Sequence, residues 1–381
     1  MVKSFEGARG FAALIVALFH FKLIVTGPFT AVVTGWSLVR NGYLMVDLFF
    51  VLSGFLMAAN YAQRLESKQA FRPFLLRRLG RLFPLLVFAT VLYVLVQNAD
   101  HFIRNQIVAL DLAKLASGTA HLPYVLPTLA EILATLTMTH SLGLFDKLIL
   151  NFASWSISVE FYTYILFAAV CFMLRGRARL FAFGLLALAA SVLIAWLAIV
   201  PRDCRVQLHC LDITYDFGFF RSVAAFFLGA LASSLSKHWR CSANLGQAGA
   251  LSLLLLLFLL VDRFPLLDFL CPPLFVLLVL SIRQDEGMLA PLLGSQPFQT
   301  LGRNSYSIYM MHPPMLWVVW PGLKAAQGHL WLELALLLAY IVLVLLVSGW
   351  TYQYIEDPAR KWINGLASAK SDKLSPRVRP V

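Results

Sequence analysis

Residues 9–20 read Arg9-Gly-Phe-Ala-Ala-Leu-Ile-Val-Ala-Leu-Phe-His20. Only apolar or side-chain-less residues separate the two ionisable ones, so as a helix the run has no polar face. A helix that is hydrophobic all round is either buried in a large core or spans a membrane. Extended to 8–26, it is long enough to cross roughly 30 Å of hydrocarbon at about 1.5 Å per residue. Comparable runs follow at about 44–61, 81–98, 157–174, 180–200, 218–235, 246–262, 265–282, 304–322 and 330–352. The composition agrees: 60% of the 381 residues are hydrophobic and 13% charged. Soluble domains carry about 45–50% and about 25%. These figures exclude a disordered chain, a disulfide-stapled mini-protein and an ordinary soluble enzyme. The expected fold is all-α, a polytopic membrane bundle of about ten helices. A net charge of +12 does not point to nucleic acid, because the basic residues sit in short clusters between apolar runs.

Those clusters set an expected orientation. With the N-terminus cytoplasmic, 21 of the 31 Lys and Arg residues fall on the cytoplasmic side, as the positive-inside rule requires. An even number of crossings of the inner (plasma) membrane then returns the C-terminus to that side. The start, Met1 to Gly7, is short and no small-residue cleavage site follows the first run, so the first helix reads as a retained anchor. The one long loop, 99–156, joins the third and fourth helices outside. It carries Pro123, Pro127 and an amphipathic stretch at 126–140, and is expected to cap the outer face. Residues 364–381 read as a flexible cytoplasmic tail. Cys204 and Cys210 share one outer loop, where they either pair in an oxidising compartment or remain free thiols. No Cys or His cluster has metal-ligand spacing, so no metal is expected.

An ionisable side chain in a lipid-facing helix costs at least about 2.5–3.5 kcal/mol, so each one found in a span needs a reason. Eleven residues make almost three turns, which puts Arg9 and His20 on one face with His20 about 16 Å deeper. His20 is either a satisfied polar residue of helix packing or a base at mid-depth that works near neutral pH. Asp47 lies near the outer end of the second helix, within reach of water. Ser53-Gly54 farther along either lets two helices approach or belongs to a site. Arg78 and Arg81, in Arg77-Arg78-Leu-Gly-Arg81, are neighbours on one helical face. They are either topology charge or a grip on a phosphate-bearing cytoplasmic ligand. Trp155 and Tyr162 suit an interface, whereas Glu160 should face the bundle interior in its outer half. Arg221 follows in the sixth helix. The ninth carries Tyr309 and His312, the latter near the depth of His20.

This ordered set resembles the membrane acyltransferase-3 family, the O-acyltransferases that modify bacterial surface glycans. Its carriers are Arg9 with His20, Val46 to Leu56 ending Ser-Gly-Phe-Leu, Arg78-x-x-Arg81 before Pro84, and Trp155-Ser156 with Glu160. Arg221 to Gly229, Leu301 to His312 and Tyr354-Ile-Glu-Asp-Pro358-Ala-Arg360 complete it. The resemblance implies transfer of an acyl group, usually acetyl from acetyl-CoA, to a sugar hydroxyl. It implies His20 as the catalytic base, paired with Arg9, and Arg78 and Arg81 on the CoA side. Glu160 is a single acid where many relatives have two, and would orient or charge-balance a histidine. His312 competes for the role of base. Asp47, Ser53, Trp155, Arg221 and Tyr309 are further substrate- or donor-binding candidates. No bound cofactor is expected, because acyl-CoA is a donor substrate. The acceptor would be a lipid-linked or nascent glycan. Residues 1–363 would form the acyltransferase domain, without the extra periplasmic hydrolase-like domain of some relatives. The alternative, a transporter or flippase of glycan precursors, should show repeat symmetry and paired broken helices, and none is visible in the sequence.

Overall fold

A computed structural model describes residues 2–25, 35–109, 123–207 and 209–369, and every regular element among them is helical. One-turn and 3-10 segments aside, these are α1 (Lys3–Ile24), α2 (Met45–Tyr61), α3 (Lys68–Ala109), α4 (Leu129–Leu136) and α5 (Trp155–Met173). There follow α6 (Gly176–Ile199), α7 (Gly218–Leu235), α8 (Ala243–Leu260) and α9 (Cys271–Ile282). The chain closes with α10 (Gln296–Arg303), α11 (Ser305–Ala325), α12 (Leu330–Thr351) and α13 (Asp357–Ala369). The end of the bundle where α1 begins is termed inner, the opposite end outer.

Among the described residues, nine helices are long and apolar enough to cross a membrane, against the ten expected. The difference is α11. It has 21 residues but carries Ser305, Tyr306, Ser307, Tyr309, His312 and three prolines. Every residue from Ser305 to Leu316 is buried. Other helices sheathe it, so its polar side chains meet protein partners and it needs no lipid-compatible surface.

Two expected boundaries move. α3 has 42 residues, about 63 Å of helix, so it projects well beyond a bilayer core. Its basic inner part is supported by α13, where Gly80 sits against Ile363. At the outer end α3 takes up the first part of the expected 99–156 loop. The later part contains α4, started by a capping box between Thr128 and Glu131; residues 110–122 lie outside the described residues. The first part of the expected flexible tail is helical. Asp357 pairs with Arg360 and Lys361 one turn on, at 2.5 and 2.6 Å, and α13 runs to Ala369. Residues 364–369 are therefore helical, and 370–381 lie outside the described residues.

Close crossings hold the site helices. A Cβ on Gly54 of α2 would strike the Phe226 carbonyl of α7, and one on Gly229 of α7 would strike the Val51 carbonyl of α2. The two glycines thus let the backbones touch, which answers for Gly54 the question its sequence left open. α1 meets α10 in the same way, through Gly10 against Leu301 and Gly302 against Glu6. The first amides of α1 have no side-chain cap of their own. Asp285, in the linker after α9, accepts from Lys3 N and Ser4 N at 2.9 and 2.7 Å. Burial pushes that carboxyl up, but these N–H groups outweigh it and hold it below its ordinary value.

Candidate active site

Two cavities lie end to end between α1, α2, α5 and α11, and Val46 and Tyr309 line both. The outer cavity measures about 650 Å³. His20 and Phe152 line it together with Trp155, Tyr43, Arg221 and residues of the 202–216 segment. The inner chamber is only about 40 Å³ and is lined by Arg9, Arg81, Ser53, Glu160, Ser156 and Tyr306, among others. A water molecule's share of liquid is about 30 Å³, so the chamber is too tight for a pantetheine arm. Tyr309 closes the passage between the two. Its hydroxyl accepts from Ser156 Oγ at 2.8 Å and its ring stands edge-on to Phe49. In place of one open channel there are two chambers with a tyrosine between them.

His20 Nδ1 lies 2.9 Å from the Val16 carbonyl one turn back on α1. A carbonyl only accepts, so Nδ1 carries the hydrogen and, in the neutral ring, Nε2 keeps the lone pair. His312 Nε2 is 3.2 Å from the same Nδ1, in position to share that hydrogen. The two imidazoles have centroids 4.8 Å apart, and Phe152 covers His20 at 4.9 Å. Only His20 of the pair lines the outer cavity; His312 is wholly buried behind it.

The backbone of α11 explains how this corner is held. Pro314 has no N–H to give to the Met310 carbonyl one turn earlier. Asn151 Nδ2 donates to that carbonyl instead, at 3.1 Å. The cross-link draws the segment before α5 into the bundle. α5 therefore starts deep, and Glu160 reaches the inner chamber.

That depth corrects the expected place of Glu160. Its carboxylate accepts from Ser53 Oγ and Tyr164 OH, both at 2.5 Å, and shares the chamber of Arg9 and Arg81. It touches neither histidine. Asp47 is likewise not solvated. It is fully buried and accepts from Arg221 Nε and Nη2 at 3.1 and 2.7 Å, because its side chain points across to α7. Arg221 also donates to the Tyr43 carbonyl at 3.0 Å and stacks on Trp155. The two substrate-binding candidates Asp47 and Arg221 are thus each other's partners. Arg78 and Arg81 part company too. Arg81 lines the inner chamber, whereas Arg78 is boxed by the rings of Tyr61, Phe74 and Tyr164.

Sequence reasoning gave no site role to three features: the cross-link from Asn151 to α11, the loop of Cys204 and Cys210, and Glu356 of the terminal motif. The last accepts from Ser307 Oγ at 2.8 Å and lies in a π-helical turn, Tyr352–Glu356, a form frequent at functional sites. The paired prolines 313–314 were the visible signal for the first. Cys204 and Cys210, bridged in the structure, were the signal for the second. Among the described residues, no group of three or more His, Cys, Asp or Glu is placed to hold a metal ion.

Comparison with known proteins now adds a family. The model described as an acyltransferase domain matches residues 2–353. YrhL of Bacillus subtilis, named as a candidate peptidoglycan O-acetyltransferase, is 23% identical over 94% of this chain and 55% of its own length. The peptidoglycan O-acetyltransferase OatA of Listeria monocytogenes is 22% identical over 94% of this chain and 56% of its own. BcsY of Komagataeibacter xylinus, named as a candidate membrane-bound transacylase, is 26% identical over 93% of this chain and 82% of its own. The chain thus spans little more than half the length of the first two relatives. No solved structure matches it significantly.

Proposed function

The chain belongs to the acyltransferase-3 family, and on that premise we propose that it is a membrane O-acyltransferase. It moves an acyl group, acetyl in the first instance, from cytoplasmic acyl-CoA to a sugar hydroxyl of a cell-surface or secreted glycan. The observation that carries this reading is the pair of chambers meeting at Tyr309. One is lined by His20, whose Nδ1 is engaged by the Val16 carbonyl, and the other by Arg9 and Arg81.

CoA phosphates are met at the inner end by guanidinium groups, whose charge-assisted bonds suit phosphate oxygens. The pantetheine arm passes when Tyr309 swings from Ser156 and the inner chamber widens with it. An acceptor hydroxyl in the outer cavity gives its proton to His20 Nε2 as its oxygen attacks the thioester carbonyl carbon. The C–S bond breaks, and the departing sulfur takes the proton back from His20. While His20 is protonated, its Nδ1–H stays bonded to the Val16 carbonyl and the His312 imidazole, so the cation forms without ring motion. Glu160, Ser53 and Tyr164 form a hydrogen-bonded wall at the donor end.

The test is thioester consumption by purified protein given labelled acetyl-CoA and a saccharide acceptor, with label followed into the sugar. Acceptor-dependent release of CoA is the expected result. Movement of a lipid-linked glycan across vesicles with no CoA released would establish the transporter reading instead.

A further inference from the structure

Among the described residues, the outer cavity is roofed less by the loop after α3 than by the segment around Cys204–Cys210, which contributes Arg202, Asp212, Thr214, Tyr215 and Asp216. This segment is braced. The Cys204–Cys210 bridge closes it, Leu211 N donates to Asp268 Oδ2 at 3.1 Å, and Gly143 N donates to the Tyr215 carbonyl at 3.1 Å. Its charges are not balanced. Arg202 is paired with Asp216, and Arg221 at the cavity wall with Asp47. Asp212 is exposed, lines the cavity, and makes no ion pair or side-chain hydrogen bond among the described residues. An otherwise neutralised chamber therefore keeps one free carboxylate.

Resting on the acyl-transfer reading above, we propose that residues 209–216 form the acceptor-binding element. In it Asp212 accepts hydrogen bonds from the hydroxyls of an uncharged sugar, whose reacting hydroxyl is thereby presented to His20. An ionised carboxylate is an acceptor-only group with about four lone-pair sites, which suits neighbouring sugar hydroxyls. The cavity's 650 Å³ lies within the range of about 300–1,000 Å³ typical of small-ligand sites. A second charge about 6 Å from Asp212 would feel several-fold to about a hundred-fold discrimination, depending on local dielectric. Uronate- or phosphate-bearing sugars are thus disfavoured. So is entry of the polyanionic end of CoA, which stays with the arginines of the inner end.

The experiment compares wild type, Asp212→Asn and Asp212→Lys in lipid nanodiscs, with matched thermal melting as the check on folding. Binding of chitobiose, which is uncharged, and of an N-acetylglucosamine–glucuronate disaccharide is titrated by saturation-transfer NMR without donor. Wild type should favour chitobiose, Asp212→Asn should weaken it by about tenfold, and Asp212→Lys should reverse the preference. Equal affinities in all three proteins, or no saccharide binding by wild type, overturn the proposal. Asp212-dependent binding without any acyl transfer would support this site and sink the reaction. Transfer indifferent to both substitutions would sink the site and leave the reaction.

Discussion

Where a triad orients its histidine with a carboxylate, His20 is held by a backbone carbonyl and a second imidazole, neither of them charged. Orientation and proton transfer are therefore separable by mutation. His20→Gln keeps much of the shape and removes the base, so activity should fall by about 10²–10⁴. His312→Gln removes a net hydrogen bond of about 0.5–1.5 kcal/mol and should cost only about two- to twelve-fold. Initial rates at matched expression decide between them; near-normal turnover in His20→Gln with loss in His312→Gln would make His312 the base. The two arginines divide in a similar way. Arg81→Ala should weaken CoA binding by about tenfold or more at little cost in melting temperature. Arg78→Ala should chiefly lower melting temperature, since it empties a box of three rings. Equal CoA affinity in wild type and Arg81→Ala would reduce Arg81 to a topology determinant. Helical spacing put both arginines on one face. It held no information on which rings of α2 and α5 would wait beneath one of them.

At the scale of elements, the α2–α7 crossing brings Asp47 against Arg221 at the wall of the outer cavity. Its glycines meet backbone carbonyls, which cannot rotate aside as side-chain ends do. Gly229→Ala should therefore cost about 1–3 kcal/mol as overpacking, seen as a lower melting temperature in detergent. An unchanged melting curve would mean that the crossing relaxes freely. Asp47→Asn should be worse, about 3–5 kcal/mol, because Arg221 is left buried and uncompensated. The double change Asp47→Leu with Arg221→Met should recover much of that loss. The helices were legible because lipid demands long apolar runs, and 218–235 was read with the bounds of α7. The length of α11 predicts a span, yet its polar residues are reconciled by burial among neighbours, which depends on tertiary structure. The burial of Asp47 depends on it in the same way. Distance from a helix end says how deep a charge lies, but not that an arginine 174 positions on will meet it.

For the whole molecule, charge and covalent chemistry are sorted along one axis. Arg64, Arg177 and Lys237 are exposed and line one groove at the inner end, and the free thiol Cys241 is exposed just beyond Lys237. The outer end carries the bridged Cys204–Cys210 segment and the free carboxylate of Asp212. Cationic loops are retained in the cytoplasm and disulfides persist outside it, so two independent rules assign the same orientation. In the orientation we propose from these rules, α1 would begin in the cytoplasm, the arginines of the inner chamber would face the compartment that holds CoA, and the His20 cavity would face the glycan. Cys241 is a native reporter of this arrangement. A membrane-impermeant maleimide applied to spheroplasts should leave Cys241 unlabelled until the cells are opened. On a Cys241→Ser background, Asp146→Cys, exposed in the segment before α5, should label at once. Immediate labelling of Cys241 with protection at position 146 would invert the protein. The donor and acceptor chambers would then face the wrong compartments, and CoA-dependent transfer to an external glycan could not proceed as described.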